Sequence, residues 1–236
     1  MWKILDTGIR SAKENMDLDA ALLENLSPND APILHFYGWE GDAATYGHFL
    51  KPSTLLNMSA VHSRGLTLAR RPTGGGMVFH LCDLAFSALV PANSPDFSIN
   101  TLHNYNFINS RVKKAVKSFL QNAGLFSLLP EEPTPLDENC RHFCMAKPTK
   151  YDVMLQGRKI AGAAQRKRKQ GYLHQGSIAI ALPKEDFLNA ILLPSTQVKE
   201  AMFQNTYSIL GRDWTSSDVE EVREKLKLQL QKEFTK

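Results

Sequence analysis

RRPTGGGMVFH, residues 70–80, is the stretch that decides the fold. It sets three consecutive glycines between an arginine pair and an apolar run. Glycine reaches positive φ and has no Cβ, so another group can approach its backbone closely. Exposed N–H groups in succession form a nest for anions, and Arg70 and Arg71 add forked donors for a phosphate or carboxylate. The alternative is a glycine hairpin beside two surface arginines.

The glycine stretch does not match the phosphate loop of nucleoside triphosphatases. No Lys-Ser or Lys-Thr pair follows the glycines, and MVFH, residues 77–80, has the composition of a strand where that loop needs a helix. The stretch therefore predicts a close backbone approach ahead of a strand.

A second segment, residues 150–180, reads KYDVMLQGRKIAGAAQRKRKQGYLHQGSIAI. QGRK predicts a hairpin turn, and Lys159 after it either binds a phosphate or carboxylate as a point charge or is simply solvated. The run from Arg166 to Lys169 predicts a solvated loop, with an acidic partner or a nucleic acid as the alternative. His174 is predicted to start the next strand, as a binding residue or as an ordinary strand-end histidine.

Three helices follow from end signals and apolar spacing. Ser11 and Glu14 form a capping-box pattern, and a long central helix is predicted to end at Gly124. Ser217 and Glu220 are expected to cap a last helix. Its apolar face comprises Val219, Val222, Leu226, Leu230 and Phe234.

Together with these helices, the strand patterns predict a mixed α/β fold. They occur at residues 32–40, 66–72, 84–90 and 174–182, whereas the proline-rich stretch 128–149 predicts a loop. No repeat or linker divides the chain, so we expect one domain over residues 1–236.

Composition excludes several classes of protein. Hydrophobic residues make up 43% and charged residues 22% of the 236, and no apolar run reaches the roughly 18–20 residues of a membrane span. The N-terminus soon becomes charged, unlike a secretory signal. Three cysteines, Cys82, Cys140 and Cys144, are an odd number that favours reduced thiols in a cytoplasmic protein. The sequence shows no metal-ligand spacing.

Together the two segments resemble the lipoate–protein ligase A and octanoyltransferase family, which is related to the biotin protein ligases. Further resemblance lies in LDAALLENL (residues 18–26), ILHFYGWEGDAATYGHF (33–49) and NTYSILG (205–211). The resemblance implies a central mixed β-sheet flanked by helices. It also implies attachment of an acyl group to one lysine of a lipoyl carrier domain, either in 2-oxoacid dehydrogenases or in the glycine cleavage H protein. We expect neither a C-terminal accessory domain nor a membrane partner.

In the ligases of this family, ATP with Mg²⁺ activates lipoate as lipoyl-AMP, which the carrier lysine then attacks. The resemblance assigns Lys159 to the activated acyl group and the glycine loop with Arg71 to the phosphate and carbonyl, where fixed donors stabilise developing charge. The full binding set implied is Arg70, Arg71, Gly74, Gly75, Gly76, Met77, Val78, Phe79, His80, Lys159, Gly162 and His174.

The chain departs from the family pattern at two places. The family commonly has aspartate directly after the motif histidine, where this chain has Leu81 and then Asp83. The ligases often carry GRND where this chain has TKYD, so only Asp152 keeps the acidic position.

Cys144 supports a second enzyme hypothesis. One branch of the family uses a cysteine in this register to take octanoyl from acyl carrier protein and pass it to the carrier lysine, without ATP. Lys147, Lys150 or Lys159 could activate the thiol, and the alternative is a spare loop cysteine. That branch usually has arginine at the third glycine, so Gly76 favours the ligase, in which Cys144 is dispensable.

A third hypothesis is a non-catalytic nucleic-acid-binding protein. It rests on the RKRK run, residues 166–169, and on DNA-binding relatives among biotin-type proteins. The N-terminus shows no helix-turn-helix, and so few cations would bind nucleic acid weakly and with strong salt dependence.

Overall fold

The computed structural model describes residues 1–121, 123–211 and 213–236. The strands are β1 (Lys3–Arg10), β2 (Ile33–Trp39), β3 (Ala43–Tyr46), β4 (Thr67–Arg70), β5 (Val78–Phe79), β6 (Asp83–Pro91), β7 (Phe126–Leu128), β8 (Val153–Leu155), β9 (Arg158–Arg168) and β10 (Gly171–Ala179). The helices are α1 (Ala12–Glu24), α2 (Met58–Ser63), α3 (Thr101–Leu120), α4 (Glu185–Ile191), α5 (Val198–Asn205) and α6 (Ser216–Thr235). Short 3₁₀ helices span Pro52–Thr54 and Asn139–His142.

A seven-stranded mixed sheet forms the centre, in the order β1-β2-β6-β10-β9-β8-β7. Strand β1 runs parallel to β2, and the remaining neighbours are antiparallel. Every residue of β6 and β10 is buried, as expected for central strands covered on both faces. The predicted mixed α/β fold is confirmed.

Helices α3 and α6 pack together against this sheet. The predicted apolar face of α6 is buried throughout, but the helix starts earlier than expected. Thr215 is the N-cap and Asp218 the reciprocal partner, in place of Ser217 and Glu220. TSSDVE contains both capping patterns, and the earlier pair satisfies the first free N–H groups of the helix.

The capping box of Ser11 with Glu14 is confirmed, and so is the hairpin, which turns at Gln156 and Gly157 with positive φ at both. Helix α3 ends at Leu120, short of Gly124, because Gln121 already has a non-helical backbone. Residue 122, inside the stretch predicted as helical, lies outside the described residues.

The prediction of a loop for the RKRK run is wrong. Residues 166–168 continue β9 and pair with β10, so most of the RKRK run is strand where a loop was predicted. The longer β9 arises from its pairing with β10, which local composition does not record. The predicted loop 128–149 is confirmed over most of its length; it includes the 3₁₀ helix Asn139–His142, and Phe143 makes an isolated bridge to Met77.

A second, three-stranded sheet, β4-β3-β5, carries the glycine stretch. Strand β3 is parallel to β4 and antiparallel to β5, so residues 71–77 must cross from one edge of this sheet to the other. Among the described residues, no helix is both long and apolar enough to cross a membrane.

Candidate active site

Close packing of backbone explains the glycine loop, residues 74–76. Gly75 has φ +85°, a conformation that side chains disfavour. A Cβ at Gly76 would lie 2.7 Å from the His142 carbonyl oxygen, and one at Gly47 would lie 2.0 Å from the Gly75 oxygen. The groups that approach this bare backbone are therefore other segments of the protein itself. Around Gly74 the space is open.

Arg71 ties this loop to the small sheet. Its side chain is 5% exposed, and it donates to Thr45 at 2.9 and 3.1 Å and to the carbonyls of Gly74 and Gly76 at 3.0 and 2.5 Å. Burial lowers the pKa of its guanidinium, while the Cys144 side chain beside it acts in the opposite direction. The Arg71 Nε has no hydrogen-bond partner within the described residues.

Backbone hydrogen bonds to Met77, the residue after the glycine loop, fix the position of Cys144. Met77 N donates to the His142 oxygen at 2.6 Å, and Cys144 N donates to the Met77 oxygen at 3.0 Å. The Lys159 ammonium also donates to the Cys144 carbonyl oxygen at 2.9 Å. The half-buried thiol thus lies on a backbone held from two sides.

Lys159 forms a buried ion pair with Asp152, its Nζ 2.7 Å from Oδ2, with the two side chains 3% and 2% exposed. Burial raises the pKa of Asp152, although Lys159 and the hydrogen bonds from Thr149 act in the opposite direction. Gly162 makes room for the pair, because a Cβ there would lie 2.4 Å from Lys159 Nζ. Asp152, the acidic residue of TKYD, therefore orients the Lys159 ammonium.

His80 and Asp83 account for the other departure from the family pattern. His80 Nδ1 lies 2.8 Å from the Asp83 carboxylate, and Nε2 lies 2.8 Å from the Thr45 hydroxyl. Burial alone would raise the pKa of Asp83, but His80 and a hydrogen bond from Ser177 hold it below its usual value. Trp39 stacks on the imidazole at 4.2 Å between ring centroids.

Tyr105 is a site residue that the sequence analysis missed. It lies on α3 close enough to Cys144 and Arg71 for electrostatic interaction, and its hydroxyl accepts from the Gln165 backbone. Burial raises the pKa of Tyr105 to about 12, so it remains an O–H donor at neutral pH. No motif marks it, because its position depends on how α3 crosses β9.

A narrow cleft of about 40 Å³ brings several of these groups together. Six residues from the sequence hypotheses line it: Arg71, Val78, His80, Cys144, Lys159 and Gly162. The other lining residues, which sequence reasoning missed, are Met16, Tyr37, Trp39, Thr45, Met145, Ala163, Ala164, Gln175, Gly176 and Ser177.

Several predicted binding residues lie elsewhere. Arg70 is exposed, and Met77 and Phe79 pack in a hydrophobic cluster beneath the small sheet. His174 lies inside β10 and not at its start; it is fully buried, and its Nδ1 is 2.7 Å from Gln165 Nε2. Burial lowers the pKa of His174 to about 3.

The described residues contain no cluster of three or more histidines, cysteines or carboxylates able to hold a metal ion. Two of the three cysteines are also unsuited to chemistry at neutral pH. Burial raises the pKa of the Cys82 thiol, and burial with a hydrogen bond to Asp137 raises that of Cys140 to about 11.

The fold and the cleft together define a lipoyl-ligase type of catalytic domain. The chain belongs to the family of the lipoyl protein ligase A/B catalytic domain, whose profile matches residues 11–230. It is therefore an enzyme of the lipoate ligase and octanoyltransferase family, and the nucleic-acid-binding alternative has no support.

Its relatives include the octanoyltransferases LipM of Halalkalibacterium halodurans and Bacillus subtilis, 32% and 31% identical. Each alignment covers 86% of this chain, and 75% and 74% of those proteins. A chain from the solved bipartite lipoate protein ligase and E2 lipoyl domain of Thermoplasma acidophilum shares the fold, with a TM-score of 0.66 and 23% identity. That match covers 100% of this chain and 84% of the other.

Proposed function

We propose that the protein is a cysteine-dependent octanoyltransferase, which takes an octanoyl group from the thioester of an acyl carrier protein and passes it to the acceptor lysine of a lipoyl domain. The observation that carries this proposal is the half-buried Cys144 thiol in the cleft, beside Arg71 and Lys159. The naming of its relatives as octanoyltransferases supports it. The order of the two enzyme hypotheses from the sequence is thereby reversed.

The surroundings of Cys144 suit nucleophilic catalysis. The thiolate is the reactive form of cysteine, and neighbouring cations stabilise it. The Arg71 side chain contacts that of Cys144, and the Lys159 ammonium lies against the carbonyl of the same residue. The Tyr105 hydroxyl and the Arg71 guanidinium both interact electrostatically with Cys144, so we assign them to the stabilisation of the oxyanion that develops during the attack.

The reaction has two acyl transfers. In the first, the Cys144 thiolate attacks the carrier thioester, a new sulfur–carbon bond forms, and the carrier sulfur leaves and takes up the proton that Cys144 lost. In the second, the neutral amine of the lipoyl-domain lysine attacks the Cys144 thioester. The amide bond forms, the cysteine sulfur leaves, and the amine's proton returns to it. The covalent intermediate divides one difficult step into two easier ones.

The apolar lining of the cleft matches the chemistry of an octanoyl chain, and the narrow cleft has to widen to admit one. Met16, Val78, Ala163 and Ala164 line it with small or flexible side chains. Burial is worth about 0.8 kcal/mol for each methylene group, so a chain of this length contributes several kcal/mol to binding. Filling the cleft also keeps water from the thioester.

Gly76, which favoured the ligase on sequence grounds, has a structural role. Its missing Cβ leaves room for the His142 backbone and for Cys144 N, which would otherwise lie 2.7 and 3.1 Å from it. Glycine at this position thus serves the placement of Cys144, and it does not require a nucleotide. The proposed reaction uses neither ATP, Mg²⁺ nor free lipoate.

Mass spectrometry of a lipoyl domain tests the proposal. One reaction contains octanoyl-acyl carrier protein without ATP, and the other contains lipoate, ATP and Mg²⁺. Lipoyl domains of a 2-oxoacid dehydrogenase and the glycine cleavage H protein are used in parallel. We expect octanoylation in the first reaction, and a hydroxylamine-sensitive octanoyl adduct on the peptide that contains Cys144.

Serine is a far poorer nucleophile at neutral pH, so Cys144→Ser should lose transfer by several orders of magnitude. Cys140→Ser is the matched control, because that thiol lies in the same segment but is buried. ATP-dependent lipoylation that survives in Cys144→Ser, with no acyl adduct on the wild type, would show a ligase instead.

A further inference from the structure

A buried carboxylate outside the cleft, Asp19, is the centre of a hydrogen-bond network. It lies on α1, fully buried, and its Oδ1 accepts from His35 Nδ1 at 2.9 Å and from the Ser87 hydroxyl at 2.7 Å. Its Oδ2 accepts from Gln175 Nε2 at 2.7 Å. Within the described part of the chain, no lysine or arginine pairs with it. Burying a carboxylate without a lysine or arginine partner is costly, which points to a role beyond packing.

The hydrogen bonds fix the orientation of Gln175. An ionised carboxylate only accepts, so the Gln175 amide nitrogen must face Asp19 and its oxygen must face away. That oxygen lies 2.7 Å from the Thr73 hydroxyl, which therefore donates to it. Asp19 thus determines which way the Thr73 hydroxyl points, through one intervening amide that lines the cleft.

Thr73 connects this chain of bonds to the glycine loop. It is 1% exposed, directly precedes Gly74, and its carbonyl accepts from His48 N at 3.1 Å. Arg71 also holds the loop, through the carbonyls of Gly74 and Gly76. Met77 follows the loop, and its backbone N–H and C=O are hydrogen-bonded to His142 and Cys144.

We propose that Asp19 is a positioning residue, which acts through Gln175 and Thr73 to hold the glycine loop and, with it, Cys144 in the geometry needed for acyl transfer. The effect on rate rests on the proposed function. The effect on the loop does not, because it follows from the hydrogen bonds alone.

Thr73→Val tests the link, since valine keeps the shape of threonine and removes only the hydroxyl. We expect at least a tenfold loss of kcat with KM for the octanoyl donor within about threefold, and recovery in Thr73→Ser, which keeps the hydroxyl. Asp19→Asn should lose a similar factor, because its amide nitrogen cannot accept from the donors it faces. The double variant should be little worse than either single variant, since both break one chain of bonds.

Ser87→Ala is the matched control. It removes an equally buried hydrogen bond to Asp19, but one to Oδ1 and not to the Oδ2 that accepts from Gln175. We expect its kcat within about threefold of the wild type, even where its melting temperature falls as far as that of Thr73→Val.

Hydrogen exchange gives a readout that is independent of the reaction. The amides of Met77 and Cys144 are bonded across the loop, so their exchange should accelerate at least tenfold in Thr73→Val and Asp19→Asn but not in Ser87→Ala. A wild type without octanoyl transfer would defeat the proposed function, while this exchange pattern would still support the positioning role. Unchanged exchange in Thr73→Val, or an additive double variant, would overturn the positioning role.

Discussion

Gly162→Ala should disable the enzyme through a single methyl group. Gly162 lies on β9, and its φ is outside the left-handed region, so alanine is compatible with the backbone. Its Cβ, however, would lie 2.4 Å from both Cε and Nζ of Lys159 and 2.6 Å from Asp152 Oδ1. The methyl group would occupy space that the buried ion pair now fills.

The size of the effect follows from these distances. Ordinary contact begins near 3.4 Å, so the Lys159 ammonium must move by about 1 Å. A shift of that size cannot keep both the 2.7 Å bond to Asp152 and the 2.9 Å bond to the Cys144 carbonyl. A misplacement of about 1 Å costs on the order of 100-fold in rate. Overpacking costs about 1–3 kcal/mol of stability, toward the low end here because a flexible side chain gives way.

The assay compares steady-state octanoyl transfer and chemical denaturation of the wild type and the variant. Gly38→Ala is the control, because Gly38 is also a strand glycine without left-handed φ. Its Cβ would lie 3.1 Å from a side-chain carbon of Ile9, and the next atoms, Ile9 Cα and the Gly8 oxygen, are at 3.6 and 3.9 Å. We expect Gly38→Ala to keep its rate within about threefold. If Gly162→Ala does likewise while remaining folded, the position of Lys159 is not critical to the reaction.

Two further predictions concern pH and charge. Burial lowers the pKa of His174 to about 3 from an ordinary value near 6.5. Between these pH values the unfolded chain binds a proton at His174 and the folded chain does not. The free energy of unfolding therefore falls as the pH drops from about 6.5 toward 3. At pH 5 the loss is about 2 kcal/mol. Urea denaturation at pH 7.5 and pH 5 should show a difference in the free energy of unfolding that is smaller by this amount in His174→Asn than in the wild type. An equal difference in the two proteins would contradict the buried neutral histidine. Arg168 and Lys169 are exposed, so changing both to glutamate should raise KM for an acidic carrier and flatten the salt dependence of KM. The same change at Lys225 and Lys232 on α6 should leave KM unchanged. Equal effects of the two pairs would rule out local steering.

Local rules account for the parts of the site that sequence reasoning identified. A run of glycines beside arginine indicates close backbone approach, and a lysine after a hairpin turn is an unusual residue for an apolar strand. Those signals located the loop at residues 74–76, together with Arg71 and Lys159. The same reasoning misplaced His174 and the RKRK run, since the ends of β9 and β10 are fixed by their pairing with each other.

The role of Cys144 also depends on contacts that the sequence does not contain. Cys144 lies 15 residues from Lys159 in the chain, and nothing local shows that the Lys159 ammonium donates to its carbonyl. The glycine at position 76 suggested a nucleotide-using enzyme, whereas in the structure a Cβ there would lie 2.7 Å from the His142 carbonyl oxygen, which gives the glycine another role.

The sequence by itself determined the helix faces, the strand pattern, the capping box at Ser11 and the glycine loop, because these depend on periodicity and backbone freedom over a few residues. Only the tertiary structure decided that Asp83 partners His80 and that Gln175 joins Asp19 to Thr73, residues 156 and 102 positions away from it. Such partners are chosen by the register of the strands and the packing of α1 on the sheet. A donor buried by that packing has to bond whichever acceptor the rest of the fold brings within about 3 Å of it.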